Sequence, residues 1–401
     1  CEGNPYQGRT LLTAASIGQY CTYEEAELVY RFNRDQEDIY IIIDDSYVSS
    51  ELTEQFSSDY MSYISGISEI TSQLAIDLIS GEGPDIIFDG YNYAELNNTD
   101  CLIDIMPYIE DGGFMDSSTY YSNVFSLASN NNQLFQVPLN INIVGLYSAF
   151  TASSEMPNAG FTFDEYELYI DDAYNGYDPL NVRRNQVDYF TLCFNAMDDL
   201  FINDGVIDLD NDAFYALVDY CSRNAFDLKN SEDVGSGEMF YYDRTLFTND
   251  YGLLNYIYGI PSYDGRGVQL SCTNSVGVSA SCSNPDMAIE FIYYSLSTST
   301  QTDLFGLNSV IRDVAQNASY DYVDELNRIN GDMQYTYENA DMQMDIFAEV
   351  IQNASGFYSS DSDVTSIIYE EMPAYFCGDK TIEEVIPIIE DRIQTVLGER
   401  G

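Results

Sequence analysis

The chain has 401 residues, more than one hydrophobic core ordinarily supports, so two lobes are expected. Asp and Glu number 67 against 14 Lys and Arg, and the formal charge of -53 repels nucleic-acid phosphates and anionic lipid, which excludes nucleic acid as a partner. There is no histidine, no Gly-Lys-Ser/Thr phosphate loop and no run of the ~18 apolar residues that a membrane span needs, so His-dependent catalysis and the common zinc sites are excluded too.

Cys1-Glu2-Gly3-Asn4-Pro5 is read as a lipid-modified cysteine followed by a flexible tether, the form left when a bacterial lipoprotein precursor is cut. A boundary falling on a cysteine by chance is the alternative. Such an anchor carries several acyl chains, and stable anchoring takes at least two.

"TYEEAELVYRFNRDQ" (22–36) opens with a Thr cap and a Glu three residues later, a capping box, and carries an apolar face at Ala26, Val29, Tyr30 and Phe32. "DIYIIID" (38–44) is a β-branched run expected to be a strand buried on both faces. A mostly helical stretch, "DYMSYISGISEITSQLAIDLIS", leads through Glu82-Gly83-Pro84 into a short strand at Asp85–Phe88. The order helix, strand, helix, strand predicts α/β alternation with a parallel sheet.

"CLIDIMPYIED" (101–111) is a short buried segment, and "NNNQLFQVPLNINIVGLYSAF" (130–150) a polar turn and two strands broken at Pro138. "FTFDEYELYIDDAYNGYDPL" and "FYALVDYCSRNA" are amphipathic helices. "NSVGVSASCSNPDMAIEFIYYSLS" reads as strand, turn and a helix entered at Asn284-Pro285, and "TIEEVIPIIEDRIQTVLGER" as a closing helix. "DLDNDAF" (208–214) begins like an EF-hand loop but lacks its sixth-position Gly and twelfth-position Glu, so helix capping by Asp210 or Asp212 is expected instead. No repeat or low-complexity linker appears, so the lobes are interleaved. Seven further cysteines form no CxxC pair. An exported chain permits disulfides, and Cys272 with Cys282 and Cys193 with Cys221 are two pairings left open.

The order of these pieces resembles the sugar-type solute-binding lipoproteins of bacterial ABC importers, the maltose-binding-like receptors. "VYRFNRDQEDIYIIID", "SGEGPDIIF", "CLIDIMPYI", "QLFQVPLNINIVGLYSAF", "FTFDEYELYI", "GIPSYDGRGVQLSCTNSVGVSASCSNPDMAIEFI" and "EEMPAYFCGDKTIEEVIPIIEDRIQTVLGE" are each similar to a family segment. The resemblance implies a two-lobed α/β fold of the periplasmic-binding-protein type II, with interleaved lobes joined by hinge strands. Lobe one would be 1–140 plus 276–315 and lobe two 141–275 plus 316–401. It further implies a non-enzymatic protein without cofactor or metal, held on the extracellular face of the cytoplasmic membrane by a lipid on Cys1. A small carbohydrate would be captured in the inter-lobe cleft by hinge closure and passed to permease subunits.

Ligands of open α/β sheets sit beyond the carboxyl ends of the strands. Asp45 and Tyr47 follow the second strand in this way, and Asp89, Tyr91 and Asn92 follow "DIIF". Ser16 and Gln19 lie in the loop before the first helix, where the family contacts ligand. Asn140 and Asn142 fall in the first crossing, as ligand contacts or hinge hydrogen bonds. In lobe two, Tyr241, Tyr242, Asp243 and Tyr263 are the candidates: tyrosine would supply the aromatic platform that the family often builds from Trp, of which this chain has none. Two other classes stay open, a secreted glycoside hydrolase using paired carboxylates and a structural or adhesive surface lipoprotein.

Overall fold

The computed structural model describes residues 6–52, 60–148, 160–176, 178, 185–203, 205–224, 240–241, 256–329, 336–358 and 361–400. In chain order the elements begin with β1 (Thr10–Ala15), α1 (Tyr23–Asp35), β2 (Ile39–Ile43), α2 (Tyr60–Ser80) and β3 (Ile86–Phe88). Short helices α3 (Met106–Asp111) and α4 (Asn123–Leu127) precede β4 (Val137–Pro138), β5 (Asn142–Val144) and β6 (Leu146–Ser148). Then come α5 (Phe163–Tyr174), α6 (Gln186–Ala196), β7 (Ile202–Asn203), β8 (Val206–Ile207) and α7 (Asp212–Asn224). Strands β9 (Phe240–Tyr241), β10 (Tyr256–Tyr258), β11 (Gln269–Ser271) and β12 (Ser275–Val278) lead to α8 (Pro285–Ser295), α9 (Thr298–Leu304), α10 (Arg312–Ile329) and α11 (Tyr337–Gln352). Strand β13 (Gly356–Phe357) and helices α12 (Ser362–Phe376) and α13 (Ile382–Glu399) complete the chain. None of the described helices is long and apolar enough to cross a membrane.

The chain divides into two compact units, residues 1–142 with 272–352 and residues 143–271 with 353–401. It therefore passes between them three times. The boundaries differ from the sequence-based ones mainly at 316–352, which was expected in the second lobe. Helices α10 and α11 belong to the first unit: Asn123 Nδ2 donates to the Ile351 carbonyl at 2.6 Å, and Phe347 packs edge-on against Tyr121. An amphipathic pattern says that a helix has a core-facing side but not which core it meets.

The first unit is built on a five-stranded sheet in the order β2-β1-β3-β12-β4. β1 runs parallel to β2, from Thr10 opposite Ile39 to Ala14 opposite Ile43, and parallel to β3. β12 lies antiparallel to both β3 and β4. Two findings depart from the sequence reading. The chain opens with a strand, β1, ahead of its first helix. The β2 strand, expected to be covered on both faces, is an edge strand with Ile42 exposed and Tyr40 half-buried, because only β1 flanks it. The α1 capping box forms as its spacing predicts: Thr22 Oγ1 accepts from the Glu25 N–H, and a Glu25 carboxylate oxygen accepts from the Thr22 N–H at 2.8 Å. That cap orients the helix so that Leu28, Val29 and Phe32 are buried, Phe32 edge-on against Phe291 of α8. Pro138 sits in β4 at the sheet's other edge, where a missing N–H is tolerated.

The second unit has an antiparallel sheet β10-β6-β9, a hairpin β7-β8 and a sheet β13-β11-β5. The strands of that last sheet adjoin the three chain crossings. Its helical core is unusually aromatic. Phe194 stacks on Phe201 with centroids 4.8 Å apart, and Phe163 on Tyr220 at 4.4 Å. Such pairs contribute about 1 kcal/mol each beyond the area they bury. The buried tyrosine hydroxyls are satisfied: those of Tyr189 and Tyr220 share a hydrogen bond of 2.8 Å, and Tyr166 donates to Asp178 at 2.8 Å. At the "DLDNDAF" segment the α7 cap is Asn211, whose Oδ1 accepts from the Phe214 N–H, rather than either flanking Asp. Among the described residues no group of three His, Cys, Asp or Glu is arranged to hold a metal ion.

Candidate functional site

The topology of the first unit gathers its loops. The parallel strands β1, β2 and β3 end at one edge of the sheet, β4 ends there as well, and β12 begins there. The segments 16–20, 44–47, 89–93 and 140, with Thr273 and Asn274, therefore share that edge. Backbone bonds pin them: the Gly18 N–H donates to the Tyr47 carbonyl at 2.8 Å and the Asp89 N–H to the Ser275 carbonyl at 3.0 Å.

At the heart of the edge lies an acid pair, Glu25 buried and Asp89 half-buried. Glu25, 1% exposed, stands in the first turn of α1, where the helix dipole favours its charge. Its carboxylate accepts from the Thr22 N–H, from Ser16 Oγ at 3.3 Å and from Asn274 Nδ2 at 3.4 Å. Asp89 faces it: one oxygen accepts from the Ser275 N–H at 3.0 Å and the carboxyl is hydrogen-bonded to Glu25. Burial, then the charge of Glu25 and the hydrogen bond to it, push the Asp89 carboxyl well above the usual carboxylate range. Glu25 is already surrounded by donors, so the shared proton belongs on Asp89. Two thiols lie close by. Burial raises Cys21 to about 11, with Glu25, Asp45 and Asp89 adding to it against the Ser16 hydrogen bond, and burial with Asp89 raises Cys272 further.

The tip after β3 is shaped by its backbone. Asp89 adopts a left-handed conformation, φ 56°, and Gly90 to Asn92 form one turn of 3-10 helix. A Cβ on Gly90 would come within 2.4 Å of Gln136 Nε2, so a larger residue there would have to push that side chain aside. Asn97 Nδ2 donates to the carbonyls of Gly90, Tyr91 and Tyr93 at 2.9 to 3.2 Å, bundling the turn from beneath. Tyr91 is left half-buried and Asn92 exposed.

The candidates named from the sequence thus fall into distinct settings. Asp45, Tyr91 and Asn92 sit at the loop edge with exposed or half-exposed side chains. Tyr47 is in the core, its hydroxyl donating to Asp77 at 2.7 Å, because the chain turns inward after Asp45. Asp89 is engaged with Glu25 and Ser275 rather than presented outward. Asn140 and Asn142 are buried: Asn140 Oδ1 accepts from the Thr273 and Asn274 N–H groups, and Asn142 Nδ2 donates to Thr273 Oγ1 at 2.8 Å. Both brace the chain beside the crossings. Ser16 is buried against Glu25, and Gln19 hydrogen-bonds Tyr63. Tyr20, 61% exposed in the loop after β1, was not named, because β1 itself went unread and its loop was not seen as a strand end.

In the second unit Tyr263 is exposed beside an acidic cluster. Arg266 pairs with Asp264 at 2.9 Å and with Asp199. Although burial would raise Asp264, the guanidinium holds it below its usual value. Asp198, half-buried next to Asp199, is pushed up to about 6 by desolvation and then by the charge of Asp199. The backbone of Tyr241 pairs with Leu146. Tyr242, Asp243 and Cys1 lie outside the described residues. Neither of the two cysteine pairings is made: Cys193, Cys221, Cys272 and Cys282 are all free. Cys272 precedes β12 near Asp89, whereas Cys282 follows it and hydrogen-bonds Asp85, so the four-residue strand separates them.

No family model matches the chain and no curated protein matches it. Solved structures do. The sugar-binding protein MalE of Xanthomonas citri aligns over 98% of this chain and 98% of its own, with a TM-score of 0.59 and 14% identity. An ABC substrate-binding protein of Listeria monocytogenes, in complex with cycloalternan, covers 97% of this chain and 99% of its own, at TM-score 0.55 and 15% identity. A de novo designed esterase also aligns, over 98% and 99%, at TM-score 0.52 and 12% identity. Most such neighbours are binding proteins rather than enzymes. The chain has the two-unit α/β fold that these solute-binding proteins share.

Proposed function

We propose that the chain is the extracellular substrate-binding component of an ABC transporter, capturing a neutral oligosaccharide and delivering it unaltered to permease subunits. The observation that carries this reading is the alignment of nearly the whole chain with solute-binding proteins whose known ligands are sugars. The loop edge of the first unit suits it chemically. Tyr20 and Tyr91 offer ring faces that can stack on a sugar, and Asn92 and Asp45 offer hydrogen-bonding groups for its hydroxyls. From the second unit, Tyr263 and the segment 241–243 belong to the same reading. Capture would be coupled to bending at the three chain crossings, and a lipid on Cys1, as the family resemblance implies, would hold the protein at the membrane.

The rival hydrolase reading gains nothing from the pair of Glu25 and Asp89. Glu25 and Asp89 are hydrogen-bonded to each other, whereas glycosidase carboxyls stand about 5 Å or more apart across the scissile bond. Titration calorimetry with linear and cyclic maltooligosaccharides, beside peptides and polyamines, tests the proposal. Micromolar heat of binding to a sugar with no reducing ends released supports it. Turnover, or binding to polyamine alone, sinks it.

A further inference from the structure

We propose that Asn33 closes the outer edge of β2 against a second copy of this chain. β2 has the sequence IYIII and stands at the edge of its sheet, with no described strand beyond it. Such an apolar edge is a template for strand pairing between molecules. Its even-numbered residues face β1: the Thr10 N–H donates to the Asp38 carbonyl at 2.8 Å, and the Asp44 N–H to the Ala14 carbonyl at 2.8 Å. Alternation along the strand therefore turns the backbone groups of Ile39, Ile41 and Ile43 outward. At the middle one those groups are already engaged. Asn33 Nδ2 donates to the Ile41 carbonyl at 2.8 Å, and the Ile41 N–H donates to Asn33 Oδ1 at 2.7 Å. This is the two-bond exchange that an antiparallel partner residue makes, reproduced by a side-chain amide. Asn33 lies in the last turn of α1, where a carbonyl has no partner within the helix, and Arg9 Nη1 donates to that carbonyl at 2.7 Å. The Arg9 guanidinium also lies over the Tyr40 ring, 5.8 Å from its centroid.

The occupant that fits the edge without Asn33 is β2 of another molecule. Pairing about Ile41 is self-complementary through a two-fold axis: Ile41 meets Ile41, Ile39 meets Ile43 and Tyr40 meets Ile42. The same register sets Asp38 opposite Asp44 and Glu37 opposite Asp45, and like charges placed so repel. The edge thus has two barriers, a local one in Asn33 and an electrostatic one to which the formal charge of -53 adds. Salt weakens only the second, since the screening length falls to about 3 Å at about 1 M.

The test is sedimentation of the full chain over a concentration series, at low salt and at about 1 M salt. The wild type is expected to stay monomeric in both. Asn33→Ala frees the Ile41 N–H and carbonyl. At high salt its dissociation constant for self-association is expected to fall at least about 10-fold below any that the wild type shows. A second variant tells edge pairing from the clumping of a destabilised chain. Ile43→Pro removes an outward N–H that β1 does not use, and proline is tolerated on an edge strand. Asn33→Ala combined with Ile43→Pro is expected to return to a monomer. Asn33→Ala staying monomeric at high salt overturns the proposal. So does a wild type that associates as tightly, or association that the added proline fails to suppress. No readout depends on a sugar ligand, so the outcome is independent of the proposed function.

Discussion

Asp89 and Glu25 are two acids that share one proton between a strand end and a helix start. The proton sits on Asp89 because Glu25 already receives a backbone N–H, a hydroxyl and an amide. Since the folded protein holds that proton above the usual carboxylate range and the unfolded chain does not, stability falls as pH rises through the window between the two. Asp89→Asn replaces the acid O–H by an N–H, keeps the acceptor for Ser275, and suits the left-handed backbone. The expected outcome is a shallower decline of stability with rising pH than the wild type shows, measured by urea unfolding across pH. Asp89→Ala removes both bonds and should cost about 2 kcal/mol or more.

Asp198 makes a second pH prediction, with a number. Its carboxyl is pushed from 3.8 to about 6, first by burial and then by Asp199. Between those values the folded chain binds more protons than the unfolded one, so stability declines with rising pH and the full cost is present above about 6. Asp198→Asn keeps the acceptor that the Asp199 N–H uses. It should raise stability by about 2 kcal/mol at pH 8 and by nothing at pH 4, as read from denaturant midpoints.

Binding and bracing can be told apart by two substitutions. Tyr91→Ala should weaken sugar affinity about 10-fold or more while leaving the melting point within a few degrees. Tyr47→Phe should do the reverse. It removes the donor to Asp77 at a cost of about 1 kcal/mol and leaves affinity unchanged. Calorimetry and thermal melts on the same preparations decide it. Should Tyr47→Phe abolish binding instead, the division between edge and core drawn at Asp45 fails.

Asn140→Ala leaves the Thr273 and Asn274 N–H groups without their acceptor beside a crossing. A loss of about 2 kcal/mol is expected, and hydrogen exchange at those two amides should quicken most.

Local signals were legible where the chemistry is local. The Thr22 and Glu25 box, and Pro285 at the start of α8, needed only near neighbours in the chain. What the strand ends deliver was harder. Asp89, Tyr91 and Asn92 follow β3 as read, but whether a side chain turns out or in depends on partners distant in sequence. Asp89 turns in because Ser275 and Glu25 meet it there, and Tyr47 because Asp77 waits in α2. Likewise β2 has the composition of a central strand, and only the sheet order shows that it has one neighbour. Glu25 was seen as a cap, and its second role required the tertiary contact.

Because the chain changes units after residues 142, 271 and 352, neither body is encoded by an unbroken stretch. A ribosome making this protein cannot finish the first body until α11 has emerged, by which time most of the second is already outside the exit tunnel. The second must then await α12 and α13, whose Ile367, Ile368, Val385 and Ile389 close its core. Cutting the gene at any single point should therefore yield two incomplete pieces, and recovering either body alone would require splicing distant segments together.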